Sequence, residues 1–150
     1  MNLLNCLENL RMIMFTHIKT SKKNRELVAK LTRKLNLGTE NHIARIALVY
    51  SLVKERKMDL ANIQDSGGKE YSKNVLFGDY LPFYVSLICI HYNIYKTHSD
   101  IPKLIKMHID DGLELIHNEL QENPNLDGFD YIIDKIDIGL QALKNNVKRY

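Results

Sequence analysis

The chain is poor in the residues and patterns that most often carry chemistry. It has two cysteines, Cys6 and Cys89, far apart and without a CxxC spacing. Neither a disulfide framework nor a zinc knuckle is indicated, and reduced thiols in a cytoplasmic protein are the expectation. No apolar run approaches the roughly 18 residues needed to cross a bilayer. The opening MNLLNCLENLRMIM carries Glu8 and Arg11 within its apolar pattern, which makes it a poor signal peptide. Gly67-Gly68-Lys69 is not a phosphate loop, because Ile63 stands where the first glycine is required and Glu70 where Ser or Thr must follow the lysine. There is no Gly-x-Ser-x-Gly elbow and no reactive-cysteine context. Internal repeats and low-complexity linkers are also lacking. One compact domain over residues 14–150 is expected, preceded by an optional extension, 1–13, with Met12 and Met14 as alternative starts.

The net charge of +3 conceals an asymmetry. Residues 1–57 carry 12 Lys+Arg against 4 Asp+Glu, and the remainder carries 9 against 14. A basic third of this kind is an electrostatic footprint for phosphates, although a solvated lysine face gives the same count.

That charge falls on an ordered stretch, Met14 to Leu52. In Phe15-Thr16-His17-Ile18-Lys19-Thr20 the β-branched residues and the alternation predict an extended segment. Six residues of strand need a partner. The same strand of a second subunit is one candidate, as in a ribbon-helix-helix dimer; covering the edge of the core is the other. Thr20 or Ser21 then caps a helix through Asn36, ended by Gly38. Leu27, Val28, Leu31 and Leu35 form its apolar stripe, with Lys22, Lys23, Arg25, Lys30, Arg33 and Lys34 on the flanks. Thr39 caps a second helix over about 40–56. Its broad apolar face, Ile43, Ala44, Ile46, Ala47, Leu48, Val49, Tyr50, Leu52 and Val53, predicts burial on most sides, as in a dimer core.

Ser66-Gly67-Gly68 marks a turn, and residues 70–80 read as irregular, with Phe77 and Tyr80 as core anchors. Pro82 suits the first turn of a helix to about Tyr95, apolar nearly all round and therefore expected to be central. Ser99 or Asp100 caps the next helix, whose buried face is predicted to be Ile101, Leu104, Ile105, Ile109, Leu113, Ile116 and Leu120. A final helix over about 129–148 uses Ile132, Ile133, Ile136, Leu140 and Leu143. The predicted fold class is predominantly all-α, with a ribbon-helix-helix-like part at 14–57 and additional C-terminal helices. His108, Asp110, Asp111 and His117, with His91 or His98, make a weak metal constellation, since acids and histidines on a solvated helix need no metal. No catalytic residue, metal or cofactor is assigned.

The run LGTENHIARIALVYSL, then GKEYSKNVLFGDY, then HIDDGLELI resembles the DndE family of bacterial DNA sulfur modification (phosphorothioation) over residues 14–117, and most closely at Leu37-Gly38-Thr39, Asn41, Arg45, Ala47 and Ser51-Leu52. The resemblance implies a DNA-binding accessory subunit, not an enzyme, with a ribbon-helix-helix-like core. It implies a homo-oligomer of tetrameric type that binds duplex DNA, including nicked duplex, beside sulfur-transfer and ATPase-like subunits, with no membrane partner. Lys19, Lys22, Lys23, Arg25, Lys30, Arg33 and Lys34 would bind backbone phosphates. The strand offers no Asn, Gln or Arg for a bidentate base contact, so weak sequence preference is expected. The alternative is a ribbon-helix-helix transcriptional regulator or antitoxin; a protein-interaction scaffold is a third reading.

Overall fold

A computed structural model of the chain describes residues 15–147. In order it contains β1 (His17–Lys19), α1 (Lys22–Leu35), α2 (Glu40–Val53), a 3-10 turn (Leu60–Asn62), β2 (Glu70–Ser72), α3 (Lys73–Phe77), a second 3-10 turn (Gly78–Tyr80), α4 (Leu81–Tyr92), α5 (Ile101–Glu122) and α6 (Gly128–Val147). The mainly α class and the strand, helix, helix order at the amino end are those the sequence predicts. The proposed extension at 1–13 lies outside the described residues.

The core is organised on α5. All seven of its predicted apolar positions are buried, and α2 lies along it in the most extensive helix pairing of the fold. Gly112 makes that pairing close. A Cβ added there would stand 1.9 Å from the carbonyl oxygen of Ala47, so the two backbones touch where any side chain would intrude. Around this contact Ile43, Ala44, Ala47 and Leu48 are fully buried. Each of the two larger side chains contributes roughly 1.5–3 kcal/mol by leaving water. The start of α2 is fixed locally: the Thr39 N–H donates to His42 Nδ1 at 3.1 Å, a capping box with histidine where Glu or Gln is usual.

Several expectations are corrected. β1 pairs antiparallel with β2 of its own chain, His17 opposite Ser72, Ile18 opposite Tyr71 and Lys19 opposite Glu70, so the strand finds a partner within the chain. The reason is the intervening turn. Gly68 N–H donates to Thr20 O and Thr20 N–H to Lys69 O, both at 2.9 Å, and a Cβ on Gly68 would meet the Ser21 carbonyl at 2.1 Å. That closure delivers Tyr71 to Ile18, and both are buried. Residues 70–80, read as irregular, are therefore a strand and short helical turns. Phe77 is buried but Tyr80 is exposed.

Asn36, at φ 51°, ends α1 instead of Gly38, and α2 stops at Val53. α4 ends at Tyr92 and is peripheral: Val85 and Ile88 are buried, while Phe83 and Ile90 face out. The expectation of no apolar run near 18 residues also fails. The helical run Lys73–Tyr92, at mean hydropathy 1.3, is long and apolar enough to cross a membrane by length and composition. It is nevertheless three helical pieces broken at Gly78, φ 53°, and not one straight helix. In α6, Ile133, Ile136, Leu140 and Leu143 are exposed, whereas Tyr131 is buried.

Replacing Gly112 by Ala drives a methyl into the Ala47 carbonyl. Overpacking of this kind typically costs about 1–3 kcal/mol, and urea denaturation should show a loss at or above the top of that range. A loss below about 0.5 kcal/mol, the scatter of a neutral surface change, would contradict the close packing of α2 on α5.

Candidate nucleic-acid interface

The basic helix α1 has two unlike halves because its sequence repeats near 100° per residue. Asn24, Val28, Leu31 and Leu35 are buried against the body. Lys22, Lys23, Arg25, Lys30, Arg33 and Lys34 occupy the opposite half and are all exposed, with Glu26 the one acid among them. The helix is 14 residues long, or about 21 Å at 1.5 Å per residue, a useful fraction of one turn of duplex DNA.

Protein carboxylates already occupy the start of this helix. Ser21 N–H donates to Asp110 Oδ1 at 2.9 Å, and Lys22 N–H to Asp65 Oδ1 at 2.8 Å. Hydrogen bonds from the Gly67 and Lys22 amides hold the Asp65 carboxyl below its usual range. Both carboxylates also oppose the positive end of the helix dipole. The flank of α1, and not its N-terminus, is thus the part open to an anion. Asn24 completes the anchorage by donating from Nδ2 to Asp110 Oδ1 at 2.8 Å.

Of the seven lysines and arginines singled out from the sequence, the structure gathers six on this face. Lys19 stands apart on β1, 3.6 Å from Glu70. Lys23 reaches Glu114 at 2.9 Å, and Lys34 donates to the Pro124 carbonyl. Burial would push the Glu114 carboxyl up, but hydrogen bonds from Lys23 and Gln64 hold it below its ordinary range. Lys22, Arg25, Lys30 and Arg33 form no side-chain ion pair among the described residues. Exposed pairs such as Lys23–Glu114 contribute only about 0–1 kcal/mol, so phosphate can compete for those lysines too. Lys30 and Lys34 also line an open groove of about 490 Å³ with His117 and Gln121 from α5. His117 and Gln121, which sequence reasoning did not connect to the basic helix, are 3.0 Å apart through their Nε2 atoms.

The would-be metal residues serve structure instead. Asp110 is buried as the acceptor for α1 and for Lys106 Nζ at 2.7 Å. His108 is fully buried, with Ser51 Oγ 2.8 Å from Nδ1 and Tyr92 O–H 2.8 Å from Nε2. Tyr92 accepts from Met58 N–H, Ser51 donates to Asp111 at 2.6 Å, and Arg56 pairs with Asp111 at 2.9 Å. Each donor in this chain finds an acceptor if His108 is neutral with its proton on Nδ1. Ser51, His108 and Asp111 have triad composition but the wrong order. The carboxylate holds the serine, not the histidine, and Ser51 is fully buried. No group of three potential ligands is arranged for a metal among the described residues. A second cleft of about 290 Å³ is lined in part by Lys57, Asp59, Asp110, Asp111 and Glu114, and the last three carboxylates are already paired with Lys106, Arg56 and Lys23.

Fold and surface together define a class: a small, mainly helical protein whose strand, helix, helix unit turns one densely basic helix face to solvent. The sequence model described as DNA sulphur modification protein DndE matches residues 17–124. The chain belongs to the DndE family, and the family assignment inferred from the three sequence runs stands. No curated protein matches it by sequence. Among solved structures it is similar to DndE from Escherichia coli B7A, involved in DNA phosphorothioation modification, at 18% identity and a TM-score of 0.57. That similarity covers 68% of this chain and 96% of that one. It is also similar to a glycine-to-lysine mutant of DndE involved in DNA phosphorothioation, at 19% identity and a TM-score of 0.57, over 68% and 97%. At these identities the likeness concerns the fold, and α6 lies beyond the family match.

Burial, helped by the neighbouring His91, lowers the His108 pKa from 6.5 to about 4. The unfolded chain therefore binds the proton more readily between those values. Stability from the neutral imidazole is complete above about pH 6.5 and is lost as pH falls towards 4, by up to about 3 kcal/mol. Urea denaturation across that range, compared with His108→Gln, should show a shallower acid loss in the variant; identical pH profiles would contradict the buried neutral histidine.

Proposed function

We propose that this DndE-family chain is a DNA-binding accessory subunit of a bacterial phosphorothioation system. It grips duplex or nicked DNA through the outward half of α1. The observation that carries this reading is the six-cation face of α1, four of whose members lack an ion-pair partner among the described residues. Lys19 would extend the grip from β1, with the Lys30 and Lys34 groove taking a further phosphate. Affinity then comes from phosphate charge and counterion release, with little base reading. In this role the subunit works in the cytoplasm as a homo-oligomer, without a cofactor, beside sulfur-transfer and ATPase-like subunits that carry the chemistry.

The regulator or antitoxin reading requires a two-subunit ribbon in the major groove. β1 is instead closed on β2 of the same chain, with Ile18 turned into the core. That arrangement favours a phosphate grip over an operator reader.

Replacing Lys22, Arg25, Lys30 and Arg33 together by Ala should weaken binding to intact and nicked duplexes of one sequence. It should also flatten the log K against log salt slope by up to about 0.9 for each phosphate that the variant no longer neutralises. Because these side chains are exposed, the fold should survive, as circular dichroism can check. An unchanged slope would remove the phosphate assignment, and a large affinity difference between unrelated sequences would favour the regulator.

A further inference from the structure

The carboxyl-terminal helix is fastened at one end only. Gly128 lies so close to α1 that a Cβ there would meet the Leu35 carbonyl at 1.7 Å. Tyr131 is fully buried, and Lys135 is paired with Glu119 of α5. From Ile136 to Asn146 every residue is exposed. Yet this projecting length is not a polar helix. Phe129, Ile133, Ile136, Leu140 and Leu143 follow one another at alternating steps of four and three, the a and d positions of a heptad repeat. Their exposures run from 43% for Ile133 to 69% for Phe129. Tyr131, the residue that enters the body, occupies the opposite f position, so the seam points away from the core. A short exposed helix of this kind is marginal without tertiary packing.

We infer that this seam is an interaction surface for α6 of a second copy of the chain, and that the two helices pair antiparallel. The seam is self-complementary in that orientation. Setting Ile136 of one copy against Leu140 of the other brings Ile133 to Leu143, and symmetry repeats both layers. The flanking e positions then place Asp130 beside Lys144 of the other copy at each end. A parallel pair brings no acid to a base at its e and g positions. Gly139 falls near the symmetry axis at a g position, and a Cβ there would meet nothing within 4 Å of its own chain. A helix-interior glycine costs stability relative to alanine, and the approach of a second helix gives it a role. Asp137 of each copy also lies near the axis as the one like-charge contact; the other charged groups of the helix, Asp134 and Lys135, lie off the seam at b and c. This pairing gives a surface to the oligomer proposed above and rests on that part of the reading, independently of the basic face.

The test is sedimentation equilibrium of the full chain, subunit mass 17.5 kDa, beside I136D/L140D, D130K and D130K/K144D. The wild-type assembly should be at least a dimer. I136D/L140D should halve its mass with unchanged helicity, since both residues are exposed. D130K should weaken the assembly, and the charge swap D130K/K144D should restore it. A monomeric wild type, or an I136D/L140D variant of unchanged mass, would overturn the pairing; failure of the charge swap to restore it would overturn the antiparallel orientation. A monomer whose α6 becomes protease-sensitive only on deletion of residues 1–14 would assign the seam to the chain's own amino-terminal segment and overturn the proposal. Salt-dependent binding to nicked duplex by dissociated I136D/L140D separates this inference from the DNA reading: if binding persists the basic face stands whatever the oligomer does.

Discussion

The fold depends on one buried carboxylate. Asp110 lies in the middle of α5, 2% exposed, where it accepts from the Ser21 backbone amide, the Asn24 side-chain amide and the Lys106 ammonium. Removing water from a carboxylate is costly unless its lone pairs are filled, and here they are filled by groups that must be in one place. The constraint fixes where α1 begins and which way it is turned. With Asn24 held inward, Val28, Leu31 and Leu35 follow it at helical spacing into the core, and the cations follow one another outward. The burial of an acid thereby orients a basic surface.

Two unlike pockets border α5. Asp59, Asp110, Asp111 and Glu114 gather on one cleft, whereas Lys30 and Lys34 meet the far end of α5 at His117 and Gln121. Three of those carboxylates are paired with Lys106, Arg56 and Lys23, so the unpaired cations of α1 would dominate the field that steers a polyanion. Nothing in the arrangement of Ser51, His108 and Asp111 competes as a reaction centre, because those side chains complete a hydrogen-bonded chain between α2, α4 and α5. The geometry thus suits a subunit that holds DNA while other proteins act on it.

Much of this was legible in the sequence where a local rule controls the outcome. The seven apolar positions of α5, the Thr39 cap and the basic half of α1 follow from helical spacing and short-range hydrogen bonding, whereas Ser21 stands at the start of α1 without a hydroxyl cap and the distant Asp110 and Asp65 accept from the first amides instead. What was not legible depended on distant partners. Tyr71 becomes strand only because the Gly67-Gly68 turn returns it to Ile18, and α4 is peripheral although it is the more apolar helix, because α5 has the glycine that admits α2. Asp110 read as a possible ligand; its spacing of four from Lys106 was the available signal that it is a paired structural acid. The α6 seam was visible as apolar periodicity, but periodicity does not say whether the covering surface belongs to the same chain.

The central claim is that the outward half of α1 is the surface that meets DNA. Two-dimensional NMR of the labelled protein, titrated with a short nicked duplex at fixed salt, tests it most directly. The largest shift changes should fall on Lys22, Arg25, Lys30, Arg33 and Lys34 and extend to His117 and Gln121. Changes confined to the acidic cleft around Asp59 and Glu114, with α1 silent, would contradict it.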